Sequence, residues 1–68
     1  MLNIKKLREE KGISQQRLAD AIKVSRSTIA MWETEGSQPD IEMLKRMSIF
    51  FNVSVDYILG NSEFSQKR

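Results

Sequence analysis

The 68-residue chain contains no cysteine and no histidine. Without cysteine there is no disulfide and no thiolate metal site, and nothing indicates an oxidising compartment. The absence of both residues excludes the usual zinc sites, Cys/His nucleophile pairs and the most common general base, and there is no glycine-rich phosphate loop. The composition therefore predicts a protein that is not an enzyme and that uses no metal and no cofactor.

Long apolar runs are also absent. The N-terminal segment MLNIKKLREEK is interrupted by charges, so we expect neither a signal peptide nor a membrane span, and we expect a cytoplasmic protein. The length is that of one small domain. The net charge is only +2, but residues 1–31 carry seven Lys/Arg and three Asp/Glu, whereas residues 32–68 carry four and six. A basic half is typical of a protein that turns one face towards phosphate.

Two short amphipathic segments follow one another within residues 14–33. The first has Leu18 and Ile22 at i,i+4 spacing, and the second has Ile29 and Trp32 at i,i+3 spacing. Each spacing places its apolar residues on one side of a helix. The sequence therefore predicts two helices, each of which buries one stripe.

Each of these helices is predicted to begin at a serine. Ser14 and Ser25 precede the two stripes, where a serine hydroxyl accepts a hydrogen bond from the backbone N–H groups of the first turn. Lys23 and Val24 leave room only for a sharp turn between the helices. The second helix turns outwards a small, neutral face formed by Ser27, Ala30, Met31 and Thr34. Such a face fits a groove about 12 Å wide that is lined with phosphate.

Three further helices are predicted. The first spans residues 3–10 and ends at Gly12, the fourth follows an Asp40 cap and runs to about residue 51, and the fifth follows a Ser54 cap and closes at Gly60. One stripe of the fourth helix is expected to be buried, and it comprises Ile41, Leu44, Met47, Ser48 and Phe51. The two central helices are too short to be stable alone, so we expect them to pack against the first, fourth and fifth helices.

Several motifs occur together in this order: S-Q-x-x-L-A, V-S-x-x-x-I, W-E, Q-P and V-S-x-D-x-[IL]-L. With them the chain resembles the lambda-repressor/Cro-type helix-turn-helix proteins, the XRE family, from about residue 4 to residue 60. The resemblance implies an all-α, compact five-helix lambda-repressor-like DNA-binding domain over residues 1–60, with the helix-turn-helix motif at residues 14–33. Residues 61–68 are predicted to be a flexible tail.

The resemblance also assigns residues to DNA. The residues that it implies for reading base edges are Arg26, Ser27, Thr28 and Met31. The residues that it implies for contacting phosphate are Gln15, Gln16, Lys23, Ser25, Thr34 and Ser37. An arginine can bond guanine O6 and N7, whereas a methionine offers only apolar contact to thymine methyls, so Met31 is either a methyl contact or simply surface.

Two positions depart from the family pattern. Lys23 stands where a glycine is common, and a non-glycine residue in the left-handed region costs about 1–3 kcal/mol. Glu35 stands near the place of a common lysine, where an acid would repel phosphate. DNA affinity is therefore expected to be modest, or this loop tilts away from DNA.

A carboxylate on the inner side of the second central helix needs a partner. Glu33 lies beside Trp32, and the resemblance implies that Arg8 and Glu33 form a largely buried structural ion pair. It also implies that Val55 and Tyr57 lie at a dimer interface. The helical wheel places Tyr57 away from Leu59, so the core is not expected to need its ring.

Together these features predict a sequence-specific regulator that binds a double-stranded DNA operator. We expect a repressor, because so short a chain has little spare surface, and a weak homodimer on a two-fold site, because one subunit makes few base contacts. An antitoxin-type autorepressor is an open alternative on the same fold. Another is a protein-interaction module, favoured by Glu35, the neutral outer face and three aromatic residues taken as exposed: Phe50, Tyr57 and Phe64. No membrane and no small-molecule ligand is expected.

Overall fold

The computed structural model describes residues 2–61, which form five α-helices and no strand. The helices are α1 (Ile4–Lys11), α2 (Gln15–Ile22), α3 (Arg26–Thr34), α4 (Ile41–Phe51) and α5 (Val55–Ile58). The predicted all-α, five-helix architecture is confirmed. Within this part of the chain, no helix is long and apolar enough to cross a membrane. Most of the predicted flexible tail, residues 62–68, lies outside the described residues.

Four helices begin where the sequence predicts a cap. The cap side chains of Ser14, Ser25, Asp40 and Ser54 each accept a hydrogen bond from the backbone N–H three residues later, at 3.0–3.2 Å. Each cap satisfies one of the backbone donors that a helix start leaves without an intrahelical partner. The starts of α2 to α5 are thus fixed by local chemistry.

The first helix begins one residue later than predicted, because Asn3 is hydrogen-bonded to the end of α5. Its backbone N–H donates to the carbonyl of Ile58 at 2.8 Å, and its side-chain amide donates to the carbonyl of Tyr57 at 2.6 Å. Asn3 therefore ties the start of α1 to the end of α5. At its other end, α1 stops as expected at Gly12, which adopts φ +73° in the left-handed region.

All five helices contribute to one apolar core. The predicted stripe of α4 is correct for Leu44, Met47 and Ser48, which are buried, and wrong for Ile41, which is 66% exposed. Ile41 is the first residue of α4 and lies at the edge of the stripe on the helical wheel, so the neighbouring helices do not cover it. The buried apolar side chains are Ile4, Leu7, Leu18, Ala19, Ile22, Ile29, Trp32, Leu44, Met47, Val53, Tyr57 and Ile58.

Tyr57 belongs to this core, and the expectation that the core does not need its ring is wrong. It is only 7% exposed, because α5 is a single turn held against the start of α1, where the Lys6 ammonium lies 5.7 Å from the ring centroid. Phe50 is half-buried and packs edge-on against Phe51. Phe64 lies outside the described residues. The aromatic residues therefore give little support to a protein-interaction module.

The turn between α2 and α3 is built on Lys23. This residue adopts φ 65° and ψ 50°, and the following Val24 N–H donates to the carbonyl of Ala19 at 2.9 Å. The predicted left-handed conformation is confirmed. A side chain in this region strains the backbone, which glycine does not.

We expect Lys23→Gly to raise the free energy of unfolding by about 0.5–1 kcal/mol, because relief of the left-handed strain exceeds the entropy that glycine adds to the unfolded chain. Denaturant unfolding measures the change. Asn52, which ends α4 at φ 57°, is the matched control. Asparagine tolerates the left-handed region, so Asn52→Gly should gain less. A Lys23→Gly protein less stable than wild type would contradict the strain argument.

Candidate nucleic-acid interface

The helix α3 has two opposite faces. Its inner face is formed by Ile29, which is fully buried, and Trp32, which is 7% exposed. The outer face of α3 consists of Ser27, Ala30, Met31 and Thr34, all of which are exposed or half-buried. The predicted division of this helix is therefore observed. The apolar contacts hold α3 in place while the outer face remains accessible.

Glu33 is held at the inner side of α3 by an arginine from α1. The Arg8 Nε donates to Glu33 Oε2 at 2.8 Å, and a terminal guanidinium nitrogen donates to Oε1 at 3.1 Å. The other terminal nitrogen of Arg8 donates to the carbonyl of Ile13 at 2.8 Å. The Glu33 side chain is 1% exposed and that of Arg8 is 13% exposed. The structure thus contains the expected ion pair as a two-point, largely buried contact.

The environment of Glu33 favours its charged form. Burial by itself would raise the pKa of this carboxyl, but the hydrogen bonds from Arg8 and Gln15 and the positive charges of Arg8 and Lys5 outweigh burial. The pKa of Glu33 consequently lies below its ordinary value. Its carboxylate is therefore a fixed negative charge at neutral pH, and it pairs with a guanidinium whose own pKa the contact raises.

A second contact links this ion pair to the start of α3. The Gln15 amide nitrogen donates to Glu33 Oε1 at 3.1 Å, which turns its oxygen away from the carboxylate. That oxygen accepts a hydrogen bond from Arg26 at 3.4 Å. Arg26 is exposed and is the first residue of α3. The buried pair thereby orients Gln15, and Gln15 in turn contacts Arg26.

The remaining predicted DNA contacts lie around α2 and α3. Gln16 is exposed and donates to Asp20 at 2.9 Å, and Lys23 is exposed at the turn. The hydroxyls of Ser25 and Thr28 are 2.8 Å apart and hydrogen-bonded. Ser37 is exposed beyond the end of α3, as is the acidic Glu35 that departs from the family pattern.

One contact that stabilises the motif could not be read from the sequence. From α4, Arg46 donates to the carbonyl of Ile22, the last residue of α2, at 2.9 Å, and it also pairs with Glu42 at 3.3 Å. Basic side chains commonly satisfy the last carbonyls of a helix. The Glu42–Arg46 spacing of four residues was a visible signal for the pair, but nothing in the sequence indicated which carbonyl Arg46 would reach.

Comparison with known proteins identifies similar chains. A family model described as helix-turn-helix matches residues 4–58. The HTH-type transcriptional activator BcrR of Enterococcus faecalis is 38% identical over 60 residues, which are 88% of this chain and 29% of BcrR. The HTH-type transcriptional regulator ImmR of Bacillus subtilis is 31% identical over 64 residues, which are 94% of this chain and 50% of ImmR. The chain thus spans about half the length of these relatives or less.

A solved structure is similar over almost the whole chain. It is the crystal structure of a transcriptional regulator from Listeria innocua, and it superposes with a TM-score of 0.81 at 27% sequence identity. The match covers 97% of this chain and 62% of the other.

Proposed function

The chain belongs to the XRE-type helix-turn-helix family of DNA-binding transcriptional regulators, and we propose that it represses transcription as a homodimer on a two-fold operator. Members of this family are regulators and not enzymes, so that expectation is confirmed. The observation that carries the proposal is the exposed outer face of α3 with Arg26 at its start. We place the protein in the cytoplasm, where operator DNA is accessible.

In this proposal α3 lies in the major groove. Arg26 contacts a guanine, and the remaining base contacts come from the side chains of Ser27, Thr28 and Met31. The helix starts at Ser14 and Ser25 face phosphate, where a helix N-terminus favours an anion. The phosphate contacts are assigned to Gln15, Gln16, Lys23, Ser25, Thr34 and Ser37. The geometry of Gln15 supports its assignment: its side-chain amide donates one hydrogen to Glu33, and the second hydrogen remains available to a phosphate oxygen.

The experiment that tests specific binding selects sites from a pool of random duplexes. The expected result is one enriched sequence with two-fold symmetry and half-sites about one helical turn apart. Affinity for it should fall steeply as salt is raised, since each phosphate contact releases roughly one counterion. If no sequence is enriched and salt has no effect, the protein-interaction module is the better description.

Activation of transcription is the second candidate. The relative BcrR is named as an activator, and it is 38% identical to this chain over 60 residues. A reporter gene placed behind the selected operator distinguishes the two directions. Repression predicts lower expression when the protein is present, and this should be lost when the operator is scrambled.

The dimer is proposed to use α5. Val55 is half-buried and is the first residue of α5, so part of its side chain is accessible. The buried Tyr57 can add only the part of its ring that the core leaves exposed. A Tyr57→Asp change would therefore disturb the fold, and Val55 is the better position for a test.

We expect Val55→Asp to remove the advantage of a full operator over a half-site while leaving half-site affinity unchanged. An acid is tolerated in the first turn of a helix, but two aspartates would repel each other across the two-fold axis. Binding isotherms on full and half sites measure this, with Val55→Thr as a control of similar shape. Equal affinity of the wild-type protein for both sites would rule out the dimer.

A further inference from the structure

The outer face of α3 has few hydrogen-bonding groups that are not already engaged within the protein. The Thr34 hydroxyl donates to the carbonyl of Ala30 at 2.7 Å. The Thr28 hydroxyl is bonded to that of Ser25, which also accepts from the Thr28 N–H at 3.2 Å. The Thr34 hydroxyl hydrogen is thus used within α3, and one of the two hydroxyl hydrogens of the Ser25–Thr28 pair is used between these side chains. The other hydrogen of the pair and the exposed Ser27 hydroxyl can still donate to DNA.

The centre of the same face is apolar. Met31 is 40% exposed and Ala30 is half-buried beside it. Thr34 is one turn further along, and its methyl group is the part not used in the bond to Ala30. Most exposed apolar side chains need no explanation. Here, however, the apolar group stands between polar positions on the surface that faces the groove in the proposed function.

The base edges of the major groove offer one kind of apolar group. Thymine carries a C5 methyl there, whereas the other three bases present only hydrogen-bonding atoms and C–H groups. An unbranched thioether side chain adapts to such a partner without needing a fixed direction. Met31 and the thymine methyl are therefore chemically matched.

We propose that Met31 makes this protein a reader of thymine C5 methyl groups, with Arg26 supplying the main directional base contact. The inference rests on the proposed function, since it requires α3 to lie in the major groove. Met31 is five positions after Arg26, a rise of about 7.5 Å along the helix axis. The thymine that Met31 contacts is therefore expected to belong to a different base pair from the guanine that Arg26 contacts.

The test replaces the thymines of a selected half-site by deoxyuridine, one at a time. Uracil lacks only the methyl group, so base pairing and the O4 acceptor are kept. At one or two positions we expect wild-type affinity to fall about fourfold, the change that corresponds to burying one methyl group. A 5-methylcytosine placed at the same position should bind more tightly than cytosine.

Protein variants assign the effect to Met31. Met31→Ala should bind thymine and uracil sites equally at the sensitive positions, whereas Met31→Leu should keep a preference for thymine. Ile49→Ala removes an exposed apolar side chain from α4, one that is more exposed than Met31, and should behave as wild type. Unfolding curves of each variant confirm that the fold is retained.

Two different failures are distinguishable. If wild-type protein binds selected and random duplexes equally, the proposed function itself is wrong. If binding is specific but uracil changes nothing, or lowers the affinity of wild type and Met31→Ala equally, only the methyl-reading role of Met31 is overturned.

Discussion

Replacing Glu33 by leucine while Arg8 is kept is expected to lower the free energy of unfolding by about 3–5 kcal/mol. The substitution leaves the Arg8 guanidinium in a site where it is only 13% exposed, with its main partner removed. In a 68-residue domain a single apolar core rarely supplies more than about 3–5 kcal/mol of stability, so much of the protein would unfold. Removing Arg8 alone should be similarly severe, because the Glu33 carboxylate is the more deeply buried of the two groups.

A double-mutant cycle measures the interaction. The variant that combines Arg8→Met with Glu33→Leu should be more stable than either single variant, since two apolar side chains leave no buried charge. The comparison can be made even if a single variant does not fold, because the double variant is expected to fold. The exposed Glu42–Arg46 pair provides the control, and Glu42→Leu should cost less than about 1 kcal/mol. Simple additivity of the two changes at Arg8 and Glu33 would contradict the coupling.

The same pair gives a pH dependence of defined sign. A carboxyl whose pKa is lower in the folded state contributes stability above its unfolded pKa, and this contribution is lost as the pH falls through the folded value. The stability of wild type relative to the double variant should therefore be constant near neutral pH and decrease as the pH falls below the ordinary glutamate value of 4.5.

The second large effect concerns DNA. We expect Arg26→Ala to weaken binding to the selected operator by about 1–3 kcal/mol, the discrimination supplied by one bidentate arginine–guanine contact. Arg26 is exposed, and its one side-chain hydrogen bond within residues 2–61 goes to Gln15 at the long distance of 3.4 Å, so its removal should not destabilise the fold. Affinity for random duplexes should change much less.

Arg17→Ala is the matched control for Arg26→Ala. It removes the same charge from an exposed position on α2 and should leave the ratio of specific to random affinity unchanged. If Arg26→Ala lowers both affinities by the same factor, then Arg26 contacts phosphate and the base-reading role is wrong.

The features that depend on neighbours in sequence were predictable. A serine or aspartate before an apolar stripe caps a helix by accepting a hydrogen bond from the backbone N–H three residues later, so a short stretch of sequence is enough to predict the cap. The caps predicted in this way are Ser14, Ser25, Asp40 and Ser54. The left-handed conformation of Lys23 was indicated by the resemblance, since relatives commonly have a glycine at this position, and the structure has it at φ 65°.

Features that depend on how helices pack were less predictable. The periodicity of a four-residue helix does not show that Tyr57 is buried in the core. The helical wheel places Leu44 inside, but it does not show that Ile41 is left exposed. For the candidate site, the resemblance indicated the Arg8–Glu33 pair. The contact from Glu33 to Gln15 joins side chains 18 positions apart and emerges only in three dimensions.

The position of the Glu33 carboxylate, held by a guanidinium from α1, limits how far the motif can be treated as a module. Grafting residues 14–33 onto another scaffold would carry both serine caps with it, but would leave Arg8 behind. The transplanted α3 would then carry the Glu33 carboxylate without its arginine partner. Nothing would hold that carboxylate in place for the hydrogen bond from Gln15. A chimaera that is meant to keep the geometry of this motif must therefore supply an arginine from outside the grafted segment, at the position that Arg8 of α1 occupies here.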